Sequence, residues 1–214
     1  FGQAKHLQKK CGVGTGCDLA AAGADPAFFL QVLGLPERDF EHFASELTRG
    51  INSALKASGC YLLGGDTSCG KHWRYVGTAI GTFSNEPLLR STDAERLILY
   101  ATGSFGDGNL SALNPAYQAK FELHHDFMRR VRPFLGLGMD SSDGLRNTLA
   151  TLCMVNPSAK ITVNADAVPV HPDVAAFCHS TGMPQQGFFF GSGGEYELIV
   201  GVYPDQREAF EKAC

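Results

Sequence analysis

Four glycine-rich segments of the chain each carry an acidic residue beside the glycine. They are Gly64-Gly65-Asp66-Thr67, Gly103-Ser104-Phe105-Gly106-Asp107-Gly108, Asp140-Ser141-Ser142-Asp143-Gly144 and Gly193-Gly194-Glu195-Tyr196-Glu197. Glycine lets backbone N–H groups approach a phosphate closely, and a neighbouring carboxylate offers oxygen ligands to Mg²⁺. A single segment of this kind is typical of a plain turn. Four in one chain favour the chemistry of a magnesium nucleotide.

Asp140 and Asp143 stand three residues apart, just before a predicted helix. Two carboxylates this close repel one another unless a cation lies between them, which favours a metal site. Asp143 can instead cap the helix by accepting hydrogen bonds from its first backbone N–H groups. Asp18 also precedes a helical pattern, so the same two interpretations apply to it. The residue types therefore indicate either metal ligands or helix caps.

Other kinds of catalytic site find little support in the sequence. The chain lacks a GxxxxGK[ST] phosphate loop, a GxSxG nucleophile elbow and an HExxH zinc motif. His124 and His125 are adjacent, so on a helix they would point to different faces. The seven cysteines are odd in number and form no CxxC pair. This pattern favours reduced, packing cysteines in a cytoplasmic protein over a disulfide framework.

The composition sets limits on the class of protein. A chain of 214 residues, 44% of them hydrophobic, can bury a sizeable core and is neither collagen-like nor disordered. No apolar run approaches the roughly 20 residues that span a bilayer. The 18 Lys and Arg against 22 Asp and Glu give a net charge of −4. We therefore expect a globular protein of one or two domains that binds neither nucleic acid nor membrane.

Strand and helix patterns alternate along the chain and must position the four segments. Helices are predicted at residues 18–26, 39–58, 121–131, 145–154 and 174–179, and strands at 27–35, 60–63, 75–83, 96–101, 135–139, 160–164 and 196–203. In this scheme Gly64–Thr67 is a loop that follows a short strand. The alternation predicts an α/β or α+β fold in two lobes. The polar turn Ser84–Pro87 predicts the boundary, with residues 1–86 in the N-terminal lobe and 87–214 in the C-terminal lobe.

Taken in order, these motifs resemble those of the thiamine-monophosphate kinases, a family of the aminoimidazole-ribonucleotide-synthase-like superfamily. The matching segments are Cys17–Pro26 (family SDLAAMGAxP), Leu63–Thr67 (GGDT), Leu89–Ser91 (RSGA), Thr102–Asp107 (TGxxGD), Met139–Leu145 (DxSDGL) and Gly193–Leu198 (GGEDYEL). The last two together point to this family rather than its relatives. Three departures are Cys17 in place of Ser, Ala22 in place of Met, and an acidic loop with one carboxylate fewer.

The resemblance implies a fold and an activity. The fold has two α/β lobes, and the N-terminal lobes of two subunits pair into a shared barrel, so a homodimer is expected. The activity is phosphorylation of thiamine monophosphate to thiamine diphosphate by ATP and Mg²⁺, in a direct in-line transfer. Such a reaction requires positioning and charge neutralisation rather than a protein nucleophile.

The resemblance also implies roles for individual residues. Mg²⁺ and phosphates would be held by Asp18, Asp66, Asp140 and Asp143, of which Asp140 and Asp143 are the expected catalytic residues. The nucleotide would contact Gly65, Asp66, Thr67, Arg90, Gly106 and Asp107. Thiamine phosphate would contact Ser142 and Glu195. A surface salt bridge is the alternative role for Arg90.

Two other functions stay open at this point. One is a different ATP-dependent enzyme of the superfamily that acts on another small substrate, favoured by the shortened acidic loop. The other is a non-catalytic nucleotide-binding module. The family has an acidic N-terminal segment before the position of Phe1 and further residues after that of Cys214, so we expect this chain to be part of a longer protein.

Overall fold

The computed structural model describes residues 15–38 and 40–214. The strands are β1 (Asp25–Pro36), β2 (Tyr61–Gly70), β3 (Arg74–Thr82), β4 (Ile98–Ala101), β5 (Leu135–Asp140) and β6 (Leu198–Val202). The helices are α1 (residues 15–22), α2 (Phe40–Ser58), α3 (Asp107–Leu113), α4 (His125–Val131), α5 (Leu145–Val155), α6 (Pro172–Thr181), α7 (Gln186–Phe189) and α8 (Arg207–Ala213). Short 3₁₀ turns cover Arg132–Phe134, Ala165–Ala167 and Pro204–Gln206.

The first sheet has the strand order β2-β1-β3, with β1 parallel to β2 and antiparallel to β3. Helix α2 covers one of its faces. Apolar residues at a spacing of three to four put Leu47, Ile51 and Leu55 on one stripe of α2. That stripe packs against alternate residues of β1, including Phe29 and Leu33. The side chains between them therefore point to the opposite face, where the exposed Phe28, Leu30 and Val32 lie.

The second sheet has the order β4-β6-β5, and β6 is antiparallel to both neighbours. Every residue of β6 is buried because helices pack on both faces of the sheet. Leu198, Val200 and Val202 face a core that includes Phe210 of α8. Ile199 faces the other core, which α5 and the 160–170 segment cover. Residues of β6 thus alternate between two apolar layers, as the period of a strand requires.

The α/β class predicted from the sequence is confirmed, and most of the predicted elements are present. Two are wrong. Residues 160–164 form no strand, since in the described structure their apolar Ile161 packs on the second core without pairing with a sheet. The helix predicted for 121–131 begins only at His125, because Phe121 instead packs in a small cluster with Ala119. The predicted first residue of α2, Asp39, lies outside the described residues.

The segment Gly64–Thr67 is not the loop that was expected. It continues β2 and pairs in parallel register with Leu30–Leu33 of β1. At Gly65 a Cβ atom would lie 1.7 Å from the carbonyl oxygen of Gln31, so the two backbones approach more closely than any side chain permits. The glycines here allow two strands to pair closely. A glycine pair in a strand and a glycine pair in a turn look alike in the local sequence.

The boundary between the two lobes at residues 86 and 87 stays a prediction.

Candidate functional site

Three of the glycine-rich segments meet at one edge of the second sheet. Because β6 runs antiparallel to both neighbours, the carboxyl ends of β4 and β5 lie beside its first residues. Asp140 at the end of β5 is in register with Leu198. The Thr102 N–H donates to the Leu198 carbonyl at 3.0 Å, and the Ser141 N–H donates to the Glu197 carbonyl at 2.8 Å. Residues from far apart in the chain therefore border one site.

Asp140 lies at the centre of a charged cluster. It is only 1% exposed, and its Oδ1 is 3.5 Å from Nη2 of Arg90. The same Nη2 lies 3.6 Å from Oδ1 of Asp18 on α1. The second oxygen of Asp140 accepts from the Ser142 N–H at 3.2 Å and from Sγ of Cys17 at 3.6 Å. The structure thus brings together Asp18, Arg90 and Asp140, as the motif pattern predicted.

The electrostatics of this cluster favour a cation. Burial raises the pKa of Asp18, the nearby Asp140 carboxylate raises it further, and Arg90 acts in the opposite direction. Burial and the same Asp140 carboxylate also raise the pKa of the Cys17 thiol. Two carboxylates therefore share one guanidinium, and added positive charge would relieve their repulsion. The ion pair of Arg90 is partly buried and belongs to this cluster, so it differs from an isolated surface salt bridge.

Asp143 is exposed at the start of α5, next to this cluster. The N-cap position belongs to Gly144, and no side-chain capping hydrogen bond is made there. Helix capping, the alternative role considered for Asp143, is therefore not its role in this structure. The backbone carbonyl of Asp143 accepts from Asn147 at 2.9 Å, which fixes the loop. The half-buried Ser142 lies between Asp140 and Asp143.

Asp66 stands apart from the other predicted metal ligands. It lies on β2 in register with Val32 of the first sheet, and it is exposed, as are Gly65 and Thr67. Within residues 15–38 and 40–214, no group of three or more His, Cys, Asp or Glu side chains is arranged to hold a metal ion. The described structure therefore gathers Asp18 and Asp140 but does not bring Asp66 to them.

Gly106 and Asp107 begin α3, where a buried carboxylate holds the backbone. Glu195 is 2% exposed and accepts hydrogen bonds from the Gly106 N–H at 2.9 Å, the Gly108 N–H at 3.3 Å and the Asn109 side chain at 3.0 Å. Gly106 has a φ of 104°, and a Cβ atom there would press against Val174. These bonds satisfy N–H groups that have no partner within the helix. Glu195, predicted as a substrate contact, thus positions the Gly106–Gly108 turn.

Asp107 is buried and has three neighbours of its own. Its carboxylate accepts from the hydroxyl of Tyr117 and, at 2.9 Å, from the backbone N–H of Lys120. The imidazole Nδ1 of His171 lies 4.0 Å away. Burial raises the pKa of Tyr117, as do its hydrogen bonds to Asp107 and Asp173, so the phenol stays a proton donor. This network fixes the Asp107 carboxylate beside an open cavity.

The cavity measures about 400 Å³, and one of its lining residues, Glu197, accepts through its backbone carbonyl from the N–H of Ser141, the residue after Asp140. Its lining residues are Thr102, Gly103, Ser104, Asp107, Lys120, Phe121, Glu122, His124, Phe127, His171, Glu195 and Glu197. His124 Nε2 lies 2.8 Å from Oε2 of Glu197, and the Thr102 hydroxyl donates to the same oxygen at 2.5 Å. The sequence motifs contain Thr102 and Glu197, but the motif pattern gave neither a role. No signal marked His124, since only the fold brings it to Glu197.

Comparison with known proteins agrees with this arrangement. Residues 4–83 match the family model of the AIR synthase related protein, N-terminal domain. The thiamine-monophosphate kinase of Nitrosopumilus maritimus is 25% identical over 210 residues, which cover 91% of this chain and 66% of that protein. The chain thus spans slightly less than two thirds of the length of this relative.

Solved structures share the fold. AaThiL, the Aquifex aeolicus enzyme, complexed with AMPPCP and TMP has a TM-score of 0.84 at 18% identity, covering 95% of this chain and 70% of that one. Escherichia coli HypE, a hydrogenase maturation protein, has a TM-score of 0.79 at 18% identity, with 97% and 68% covered. The chain is therefore similar to AIR synthase related proteins over residues 4–83. The predicted resemblance to thiamine-monophosphate kinases is confirmed over about nine tenths of the chain.

Proposed function

We propose that the protein transfers the terminal phosphoryl group of ATP to thiamine monophosphate, giving thiamine diphosphate and ADP. The observation that carries this proposal is the cluster of Asp18, Arg90 and Asp140 at the edge of the second sheet. In the transfer, a phosphate oxygen of the acceptor forms a bond to the γ-phosphorus while the bond to the ADP oxygen breaks. Such a reaction requires aligned phosphates and neutralised charge.

The residues present fit a bound Mg²⁺. This ion is usually held by one or two carboxylates and completes its shell with substrate phosphates and water. Asp18 and the buried Asp140 supply carboxylate oxygens near one another, since both contact the same Arg90 nitrogen. Asp143 follows Asp140 by three residues and adds a third carboxylate. When bound, the ion would neutralise charge on the phosphates. Asp66 lies on the first sheet, whereas Asp140 lies at the edge of the second. The proposal that Asp66 is a Mg²⁺ ligand therefore rests on the motif alone.

Other groups of the chain would position the phosphates. Arg90 is half exposed, so its planar set of donors can reach phosphate oxygens while it stays near Asp140. The Gly106–Gly108 turn, with Asp107, would lie against the nucleotide. Gly65 and Thr67 have the same proposed role on β2, and Ser142 would contact the acceptor phosphate. Glu195 acts through the turn that it holds rather than as a direct contact.

The test is a mass-spectrometric assay of the protein expressed from its complete reading frame, with ATP, Mg²⁺ and thiamine monophosphate. We expect thiamine diphosphate to form and EDTA to abolish it, with excess Mg²⁺ restoring it. An Asp140→Asn variant should lose activity, while Asp205→Asn, an exposed aspartate before α8, should retain it. A folded protein that binds ATP but makes no thiamine diphosphate would contradict the proposal.

A different acceptor is the second candidate. The chain reads GGEYEL where the kinases have GGEDYEL, and HypE shows that this fold also occurs in a protein of another name and role. A screen of small phosphorylated and carboxylated acceptors, monitored by ADP release, distinguishes the two candidates. ADP release with an acceptor other than thiamine monophosphate would favour the second candidate. Binding of ATP with no turnover on any acceptor would favour a nucleotide-binding module.

We also propose that two copies pair through the open face of the first sheet, which would form the barrel between residues 1–86 of each. That face carries exposed apolar side chains on adjacent strands, with Val32 48% and Val76 58% exposed and in register with each other. Exposed apolar patches of this kind commonly mark an interface. Light scattering should give a dimer mass, and Val76→Glu should give a monomer.

No described helix can span a membrane. A cytoplasmic location is proposed from the cysteine pattern.

A further inference from the structure

Helix α1 holds the thiol of Cys17 against the buried carboxylate of Asp140. Ala20 and Ala21, three and four residues after Cys17, lie on the same face of the helix and are buried in one core of the second sheet. At Gly138 of β5 a Cβ atom would lie 2.5 Å from the carbonyl oxygen of Ala21, so the helix packs directly on the strand. Cys17 is therefore fixed one helical turn before this contact, beside the end of β5.

The two carboxylate oxygens of Asp140 have different surroundings. Oδ1 lies 3.5 Å from the guanidinium of Arg90, a half-exposed side chain that also contacts Asp18. Oδ2 accepts a hydrogen bond from the thiol of Cys17 at 3.6 Å and another from the backbone N–H of Ser142 at 3.2 Å. These two bonds fix the rotation of the carboxylate, so Oδ1 is directed toward the open side of the cluster.

The side chain at position 17 matters because Asp140 is buried. A carboxylate offers only acceptors, so in this contact the thiol is the donor. A thiol donates weakly, yet a buried carboxylate depends on each of its donors, since no bulk water replaces a lost one. The kinases that the chain resembles carry Ser here, and a C–S bond is longer than a C–O bond. The thiol of Cys17 therefore reaches further from α1 than a serine hydroxyl would.

We infer that Cys17 is a positioning residue, which orients the Asp140 carboxylate so that its Oδ1 stays available to a divalent cation. The inference rests on the proposed function, in which Asp140 is a Mg²⁺ ligand. Cys17 acts through Asp140 alone, and its thiol neither contacts a substrate nor takes part in the phosphoryl transfer. Groups that orient the ligands of a metal ion commonly change the affinity for that ion when they are removed.

The test measures binding of Mn²⁺, a paramagnetic substitute for Mg²⁺, by electron paramagnetic resonance with neither nucleotide nor acceptor present. The protein is expressed from its complete reading frame. Cys17→Ala should weaken Mn²⁺ binding about tenfold, the low end for lost support of a metal ligand because a thiol is a weak donor. Cys17→Ser restores a donor and should stay within about threefold of the wild type. Cys178→Ala removes a buried thiol from a separate apolar cluster and should leave the affinity unchanged.

Infrared spectroscopy of the S–H stretch tests the contact itself and needs no metal ion. The difference spectrum between the wild type and Cys17→Ser isolates this thiol from the other cysteines of the chain. The same difference is then measured in the background of Asp140→Asn. The Cys17 band should move to higher frequency there, because a neutral amide oxygen accepts a weaker hydrogen bond than a carboxylate. This comparison also covers a Cys17→Ala variant that does not fold.

The outcomes separate failure of this inference from failure of the kinase function. Weaker Mn²⁺ binding in Cys17→Ala than in Cys17→Ser supports the inference even if no thiamine diphosphate forms. Equal affinity in the wild type and Cys17→Ala would overturn it, whether or not the wild type is an active kinase. Equal weakening in Cys17→Ala and Cys17→Ser would also overturn it, since the size of the side chain rather than its donor would then matter. An S–H band that does not respond to Asp140→Asn would exclude the contact.

Discussion

Replacement of Glu195 by alanine tests how the Gly106–Gly108 turn is held. The carboxylate accepts three hydrogen bonds from Gly106, Gly108 and Asn109. Hydrogen bonds to charged groups contribute about 1.5–3 kcal/mol each, but burying a carboxylate costs several kcal/mol. The net loss of unfolding free energy on Glu195→Ala should therefore be about 3 kcal/mol. Glu208→Ala, on the exposed side of α8, should change it by less than about 0.5 kcal/mol.

Urea denaturation followed by circular dichroism gives the free energy, and hydrogen exchange gives the local effect. The amides of Gly106 and Gly108 should exchange faster in Glu195→Ala, since their acceptor is gone, while amides of β1 should not change. A loss below about 1 kcal/mol together with unchanged exchange at both glycines would refute the proposed role of Glu195.

The pH dependence gives an independent test of the same carboxylate. Burial raises the pKa of Glu195 above its ordinary value of 4.5, although its hydrogen bonds to Gly106 and Gly108 act in the opposite direction. Over the interval above 4.5, the folded state keeps a proton that the unfolded state has lost. The free energy of unfolding should thus fall as the pH rises through this interval. Glu195→Gln should lack this pH-dependent contribution to the free energy of unfolding. If the difference in unfolding free energy between the wild type and Glu195→Gln stayed constant across pH, the assignment would be contradicted.

Three further changes test other parts of the structure. Asp143→Asn should lower turnover at least about 100-fold while leaving the unfolding free energy within about 0.5 kcal/mol, and near-normal turnover would exclude a metal role. Gly65→Ala should destabilise the protein by about 2 kcal/mol or more in urea denaturation, because its Cβ would overlap the Gln31 carbonyl; Gly187→Ala, in open space, is the control. Burial and the nearby Arg129 lower the pKa of His125 to about 4. Unfolding free energy should therefore fall by up to about 3 kcal/mol as the pH drops from 6.5 to 4, and His125→Phe should lack this loss.

The sequence predicted elements well where one local pattern dominated. The apolar stripe of α2 and the short apolar run at residues 27–35 each predicted an element that appears within two residues of its predicted bounds. The failures have a common physical cause. Gly64–Thr67 reads locally as a turn, yet it pairs with β1, and residues 160–164 read as a strand without a partner to pair with. Pairing partners are properties of the fold that a local pattern does not contain.

In the candidate site, too, local motifs predicted some residues and only the fold determines others. The motifs identified Asp18, Arg90 and Asp140, because each stands in a recognisable segment, and the structure brings these three together. The contact between His124 and Glu197 was not predictable, since 73 positions separate two residue types that have many ordinary roles. His124 is the N-cap residue of α4 and Glu197 directly precedes β6, so the contact depends on the packing of α4 against the second sheet. Long-range geometry of this kind needs the topology as well as the motif.

The position of β6 has a consequence for synthesis of the chain. β4 and β5 are not neighbours, and the strand that joins them lies roughly 100 residues after β4. At a translation rate of about 5–20 residues per second, β4 waits on the order of 5–20 seconds for its partner. During that interval the apolar residues of both strands lack the central strand that buries them. The nascent chain is thus exposed to misassembly at this stage, and a holding chaperone would act most usefully between the synthesis of β4 and that of β6.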